Sequence, residues 1–568
     1  MSSRCGIDDT TLRPTDGNGS KSSGRAARPV VLILGGGIMQ TPAIRLAKRA
    51  GWTVIVADSN PEAPGIRLAD EFEHIDLADR FALAAVAVER RRSGRLDGVF
   101  TAGTDFSTTV AWVAAECGLP GIPYETALAA TDKILMRRTL TRAGVPCPEY
   151  VGLSRGDDPR SSLRRLRLPV VVKPVDNMGS RGVRRVDSPQ ELEEAFDRAV
   201  GLSRSGRVIV EAFMDGPEIS VDAIVHQGRV TICGAADRHI GFAPYFVELG
   251  HTMPSALPTS LLRRAADVFR RGVAALGIDN GAAKGDIKLT SSGPMIGEIA
   301  ARLSGGFMSG WTYPYASGVE VTQAALNLAV GLPPGPLEPM AHRVSAERAL
   351  ISIPGEIDDI VGCEDAVSVR DTRDLFLLSE RGDRVHMPTN NVEKCGNVVT
   401  CADTREEAVA AADTAVGRVL FRLVPGHPDT ESFLRSRPSE ASGHGPNAYS
   451  LENAANLAAL SAMPERITGS GGPDILELPC IEAELEKDWT HLRLKEAVDR
   501  IAAMTGARFV DRPTARRACL GRVFWRALLR GGVQAGVYVI DTERSENSRS
   551  ERSRQDYAVT ARARSGGA

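Results

Sequence analysis

A β-branched run that ends on one lysine and leads at once into a glycine loop places the strongest constraint on this chain: Pro169-Val-Val-Val-Lys173-Pro-Val-Asp-Asn-Met-Gly179-Ser-Arg-Gly182. Val170 to Val172 reads as a buried strand. Pro174 stops it, because proline has no N–H to give to a ladder. Gly179, Ser180, Arg181 and Gly182 then form a loop of small residues beside a cation. Glycines let backbone N–H groups come close to a polyphosphate and turn toward it. A strand-borne ammonium next to such a loop has the outline of a clamp for a nucleotide triphosphate. Taken alone, an ordinary hairpin with a surface lysine explains the same residues, so the reading depends on what surrounds them.

At 568 residues the chain exceeds a single core, and a domain size of roughly 100–200 residues points to several domains. A net charge of −2 offers no basic footprint for nucleic acid and no polybasic membrane patch. No apolar run approaches the roughly 20 residues of a membrane span, and no signal-peptide core opens the chain. Nine cysteines, an odd number without CxxC or metal-finger spacing, fit reduced thiols, so a cytoplasmic protein is expected. Residues 1–28 are polar and without hydrophobic period, as in a disordered tail.

Order is expected from Pro29. Val30 to Leu34 reads as a buried parallel strand, followed by Gly35-Gly-Gly37, a helix from Thr41 to Ala50 and a strand from Thr53 that ends at Asp58. This is the shape of a dinucleotide fingerprint, except that its third glycine position holds Gln40. A helix from Asp79 to Arg92, a strand from Val99 to Ala102 and a helix ending near Cys117 complete a doubly wound α/β domain. A nicotinamide site, a small-substrate site and plain architecture all suit it.

The chemistry-bearing residues then recur in order. Lys133 opens a helix that Gly144 and Pro146 end. A strand carries Glu211, a turn follows at Asp215-Gly-Pro217, and a second strand begins with Glu218. The backbone of Ala212, Phe213 and Met214 suits a purine edge and Glu218 suits sugar hydroxyls, although a hairpin with two surface acids fits as well. Gly281–Lys288 and Gly293–Arg302 read as paired strands that set Asp286 beside Glu298, the hard-oxygen ligands Mg²⁺ (or Mn²⁺) prefers. Arg302 supplies a fixed cation, and Leu303-Ser304-Gly305-Gly306 a second flexible loop for phosphate or carboxylate.

From about Pro29 to Pro438 this order resembles the ATP-grasp superfamily of carboxylate–amine ligases. The resemblance implies a multidomain protein of α/β and α+β type. Its parts would be a Rossmann-like pre-ATP-grasp domain over 29–125, a two-lobed ATP-grasp domain over 126–335 and a C-terminal β-rich subdomain over 336–436. It implies that Lys133 and Lys173 contact the nucleotide phosphates while Gly179, Ser180, Arg181 and Gly182 close over them. Glu211 with the backbone of Ala212, Phe213 and Met214 would hold adenine, and Glu218 the ribose. Asp286 and Glu298 match metal-ligand positions, and Arg302 matches the arginine that steadies the anionic intermediate. Many members carry Asn two residues after the second metal carboxylate. Here that position is Ala300, as in members similar to aminoimidazole ribonucleotide carboxylating ligases.

Asp237-Arg-His239 and Tyr245-Phe-Val-Glu248-Leu-Gly-His251 are similar to the dipeptide-forming amino-acid ligases. This implies that Glu248 receives an α-ammonium and His251 a carboxylate or phosphate. His239, Arg302, Ser304, Gly305 and Gly306 would complete the substrate site, and Phe307 and Trp311 would wall it. Each histidine reads equally as a structural one. Asn391–Val399 and a helix from Thr404 to Phe421 resemble the closing subdomain of biotin-carboxylase-type members, without a Met-Lys-Met biotin site. Residues 436–448 read as a linker, 449–545 as an accessory α/β region and 546–568 as a charged disordered tail. Within the accessory region, Gly531–Ile540 reads as a strand that could add to an existing sheet.

The expected function is ATP-dependent joining of a carboxylate, an amino acid or small acid, to an amine. It would pass through an acyl phosphate and release ADP and phosphate, with Lys173 and Arg302 in catalytic roles, Mg²⁺ as cofactor and a homodimer as the assembly. The alternatives are a carboxylating ligase that uses bicarbonate, a non-catalytic ATP-binding protein, and a nicotinamide-dependent oxidoreductase that would use only Gly35, Gly37 and Asp58.

Overall fold

The computed structural model of the protein describes residues 28–436, 445–469, 473–513 and 517–565, with side chains through 546. The tail expected over 1–28 therefore lies, apart from Arg28, outside the described residues, as does most of the linker at 436–448.

The N-terminal sheet is parallel, in the order Glu71–His74, Thr53–Asp58, Val30–Leu34, Gly98–Phe100. Its first strand is an unbroken apolar run because both faces are covered. Val31 and Ile33 pack with Ala43, Ile44 and Trp52 on one side, while Leu32 and Leu34 pack with Leu83, Val99 and Val113 on the other. The crevice of the dinucleotide fingerprint is already filled. Asp58 accepts from Gly36 N–H at 2.7 Å and Asn60 N–H at 2.8 Å. Gln40 is buried over Gly35 and donates through Nε2 to the Ala102 carbonyl at 2.6 Å. The acid and the space a dinucleotide would need are thus committed to the turn itself.

A four-stranded antiparallel sheet follows, ordered Tyr150–Ser154, Arg207–Ala212, Val170–Pro174, Arg184–Val186, with helices Lys133–Arg142 and Pro189–Leu202. Opposite it stands an antiparallel sheet of eight strands, ordered Gly293–Ala300, Gly281–Thr290, Glu218–His226, Arg229–Gly241, Val247–Met253, Val344–Leu350, Gly396–Ala402, Thr372–Leu377. This sheet runs unbroken past residue 335: Val247–Met253 pairs with Val344–Leu350. Gly250 makes that pairing possible, with φ +149° and space so tight that a Cβ would lie 1.9 Å from the Glu347 carbonyl.

The region beyond 445 holds a small sheet ordered Arg466–Ile467, Cys519–Leu520, Asp474–Leu476, Arg508–Val510, and helices Ala454–Ala462, Leu494–Thr505 and Arg522–Ser565. It shares one hydrophobic core with residues 350–433. Gln534 locks the two together, donating to Ser352 Oγ at 2.7 Å and the Phe421 carbonyl at 2.8 Å. Two expectations are corrected. Gly531–Ile540 is not a strand: the backbone kinks at Gly531 and Gly532, and Val533–Ile540 is helical. Val533, Ala535, Val537, Tyr538 and Ile540 are all buried, and a helix buried all round has no periodicity to separate it from a buried strand. The expected tail at 546–568 continues as this helix to Ser565. Among the described residues no helix is long and apolar enough to cross a membrane.

Candidate active site

The two lobes and the N-terminal domain enclose a cavity of about 510 Å³, lined by residues from Met39 and Gly103 through Lys173 and Glu298 to Lys394. Lys173 ends the buried strand and donates to Glu211 Oε2 at 2.7 Å. Glu211 is 1% exposed, and its other oxygen accepts from Arg137 Nε at 2.8 Å. Burial pushes the Glu211 carboxyl up, but Arg137 and Lys173 outweigh it and hold it at about 2. Both oxygens are occupied by cations, so Glu211 holds Lys173 in place and is not free to meet a purine. Ala212, Phe213 and Met214 line the cavity beside it.

Lys133 is the first residue of its helix, where a cation opposes the helix dipole. Its ammonium is turned away from solvent: it donates to the Asn177 carbonyl at 2.7 Å and lies 3.8 Å from Glu298. In the glycine loop, Gly179 and Ser180 line the cavity. The Gly179 carbonyl accepts from Asn391 N–H at 2.9 Å, which latches the loop onto the far end of the eight-stranded sheet. Gly182 (φ +73°) packs on Pro174, and Arg181 donates to the Met178 carbonyl at 3.0 Å; neither is among the cavity-lining residues. Their part is to shape the loop.

Asp286 and Glu298 are direct cross-strand partners. A bulge leaves Gly297 as the extra residue between Glu298 and Ile296, and Arg137 Nη2 donates to the Gly297 carbonyl at 2.6 Å. The same guanidinium therefore steadies both Glu211 and the strand that aims Glu298. Asp286 accepts from Ser220 Oγ at 2.7 Å, pairs with Lys284 and lies 3.1 Å from Arg238. Burial pushes both carboxyls up; Arg238 and Lys284 for Asp286, and Lys133 for Glu298, hold them below the usual range and ionised. Two ionised oxygen donors on adjacent strands, facing the cavity, fit a hard divalent cation.

Sequence reasoning missed Arg238, which ties the site together. It donates to Glu248 Oε2 at 2.9 Å and also bonds Glu218. The expected residue on that strand, His239, is not among the cavity-lining residues; Arg238 and Ile240 are. His239 bonds Thr252 Oγ1 at 2.9 Å, and burial together with the nearby Arg348 holds it down at about 4, as a neutral structural histidine. Lys284 and Lys288 were also missed, although with Asp286 they recur at period two, the signature of one strand face. Glu218 is engaged by Arg238 and lies 3.4 Å from Lys288.

At the other end of the cavity, His251 Nδ1 meets Glu347 at 2.7 Å and its Nε2 lies 3.6 Å from Glu248. Burial lowers the imidazole pKa, but Glu248 and Glu347 raise it further, so the net direction is upward. Ser304 donates to the buried Asp222 at 2.6 Å and Ser309 to the same carboxylate at 2.8 Å, so the Ser304 hydroxyl is spent on fixing its loop. Gly305 and Gly306 line the cavity, and a Cβ on Gly306 would lie 2.4 Å from Glu248. Phe307 takes the left-handed conformation (φ +58°), held by stacking on Phe376 at 4.3 Å and by Trp311 at 5.2 Å. Arg302 lines the cavity, and among the described residues its only hydrogen-bond partner is the Leu303 carbonyl, at 2.8 Å.

Two lysines facing two cross-strand carboxylates between an antiparallel lobe and a larger sheet agree with the first comparison: residues 166–310 match the ATP-grasp domain. The next segment, residues 348–424, matches the L-amino acid ligase C-terminal domain 2. The chain is 27% identical over 362 residues to the uncharacterized protein y4rH of Sinorhizobium fredii, covering 62% of this chain and 75% of that one. It is 26% identical over 385 residues to carnosine synthase 1 of Mus musculus, covering 62% of this chain but only 46% of the relative. The L-amino acid ligase from Bacillus licheniformis superposes with a TM-score of 0.61 at 23% identity, over 70% of this chain and 100% of that one. At that identity the likeness is one of fold.

Proposed function

We propose that this protein is an ATP-dependent ligase that joins a carboxylate, an amino acid or small acid, to an amine. The observation that carries the reading is the placement of Asp286 and Glu298, as cross-strand partners, in the cavity that also holds Lys133 and Lys173. Lys133 and Lys173 are suited to the β- and γ-phosphates, with the Gly179–Ser180 turn above them. Asp286 and Glu298 would hold Mg²⁺, which when bound supplies charge neutralisation on the phosphates. Arg302, with no carboxylate in hydrogen-bond or ion-pair contact among the described residues, is suited to bind the attacking carboxylate and to steady the acyl phosphate. The substrate carboxylate oxygen bonds to the γ-phosphorus as the bond to ADP breaks. The amine then displaces phosphate from the acyl carbon and gives up its proton. No protein nucleophile takes part, so rate comes from positioning and electrostatics. A reducing, cytoplasmic setting is supported by the eight described cysteines, all of them free thiols.

The test is ADP release from Mg²⁺-ATP across a panel of amino acids and small acids, with hydroxylamine to trap the acyl phosphate. A hydroxamate from one acid supports the reading. ADP without hydroxamate redirects it to bicarbonate, and no ADP with any acid despite tight ATP binding overturns it.

A further inference from the structure

Asn391 lines the cavity and bonds both of its sides. Its backbone N–H donates to the Gly179 carbonyl at 2.9 Å, and its side-chain Oδ1 accepts from Glu248 N–H at 2.8 Å. Gly179 belongs to the loop that follows Val170–Pro174 in the four-stranded sheet, and Glu248 to Val247–Met253 in the eight-stranded one. The turn that carries Asn391 is a fixed post. Asn390 caps it by accepting from Val392 N–H at 3.0 Å, and Glu393 folds back to accept from Thr389 N–H at 2.7 Å. Arg198, on the helix Pro189–Leu202, donates to Thr389 Oγ1 at 3.1 Å. The loop, by contrast, needs support from outside. Gly179 (φ +65°) and Ser180 (φ +60°) are both left-handed, and a residue other than glycine stays there only where its surroundings hold it.

Hydrogen-bonded contacts through a rigid element carry the state of one site to another. We propose that Asn391 is a positioning residue that couples the glycine loop to the strand of Glu248. Phosphates that settle the loop onto Asn391 thereby fix the Glu248 end of the cavity, and a ligand at that end tightens nucleotide by the same factor. The proposal rests on the nucleotide part of the ligase reading and adds the residue through which the two ends communicate. The backbone at this point allows the two bonds to be separated. Position 391 opens a short helical turn, and Asn390 before it is extended (φ −158°, ψ 174°). Proline suits the first place and an extended residue suits the place before proline. Asn391→Pro therefore removes the N–H and the acceptor together, Asn391→Ala removes the acceptor alone, and the isosteric Asn391→Asp keeps both.

The experiment is amide hydrogen exchange read by mass spectrometry on the full chain, with and without a non-hydrolysable ATP analogue and Mg²⁺. Two peptides are followed, one covering 176–183 and one covering 246–252. In the wild type the analogue is expected to slow exchange in both, by at least about fivefold, the low end for coupling between sites. Asn391→Ala should keep the nucleotide effect at 176–183 and lose it at 246–252. Asn391→Pro should lose it at 246–252 and weaken it at 176–183, and Asn391→Asp should restore the wild-type pattern. Loss of a merely structural bond would speed exchange at 246–252 by one factor with and without nucleotide. That result in Asn391→Ala overturns the proposal. So does a wild type in which the analogue protects 176–183 but not 246–252. A wild type protected at neither peptide overturns the nucleotide reading itself, and the proposal with it, so the two failures are told apart. If Asn391→Pro does not fold, Asn391→Ala and Asn391→Asp decide.

Discussion

Of two concavities formed by the described residues, the larger one carries less chemistry. A cleft of about 1140 Å³ lies between helices Arg405–Arg418 and Leu494–Thr505, more than twice the volume of the cavity between the lobes. Several charges around it, Arg418, Lys487 and Glu496 among them, are exposed to solvent. In the lobe cavity, Glu211, Glu248 and Asp286 are each buried and locked to cations. Buried ions are costly unless paired and held in fixed geometry. A fold that carries so many of them around one space is organised for a charged ligand, whereas volume alone marks only where two elements fail to fill the gap between them.

The contrast can be broken most sharply at Arg137. Arg137→Met should leave Glu211 buried with half its compensation and loosen the strand that aims Glu298, destabilising the protein by about 3–5 kcal/mol in urea denaturation. A change below 1 kcal/mol would mean that the network is not buried charge under tension. Next comes Glu298→Gln, expected to keep ATP affinity within about threefold while turnover falls by roughly 10²-fold, in the range for a lost electrostatic contact to a developing charge. Normal turnover in this variant would remove Glu298 from the metal assignment.

His239 gives a smaller, pH-dependent effect. Its pKa is held at about 4 in the fold against 6.5 for the free side chain, so its contribution is complete above pH 6.5 and is lost as pH falls through 4. On the order of 3 kcal/mol of stability should disappear across that window, and His239→Gln should flatten the curve there. A variant that follows the wild-type curve would refute the buried neutral state. The smallest effect belongs to the exposed cleft. Lys487→Ala should change stability by less than about 0.5 kcal/mol and leave ATP affinity untouched; a measurable loss of nucleotide there would give the larger cleft a role of its own.

Several parts of the site were legible because they are local. A valine run into Lys173, a glycine loop, and a strand–turn–strand that pairs Asp286 with Glu298 each span few residues, and the period of a strand says which of them share a face. The parallel N-terminal domain was readable for the same reason. The partners of these residues were not. Arg137 reaches Glu211 from 74 positions away and Gly297 from 160, and Glu347 meets His251 from 96. The bulge that leaves Leu249 unpaired opposite His239 and Ile240 also lets Glu248 and His251, three positions apart on one strand, both line the cavity, and composition does not encode it.

From the sequence alone, then, follow the α/β and α+β architecture, the order of the nucleotide-type motifs, and the lysines and carboxylates that carry them, since each depends on short-range periodicity and turn chemistry. Tertiary structure alone decided that Glu211 holds Lys173, that Arg238 and not His239 faces the cavity, and that Val533–Ile540 is helical. Burial and ion pairing are properties of what folds against a residue, and long-range sheet register sets that.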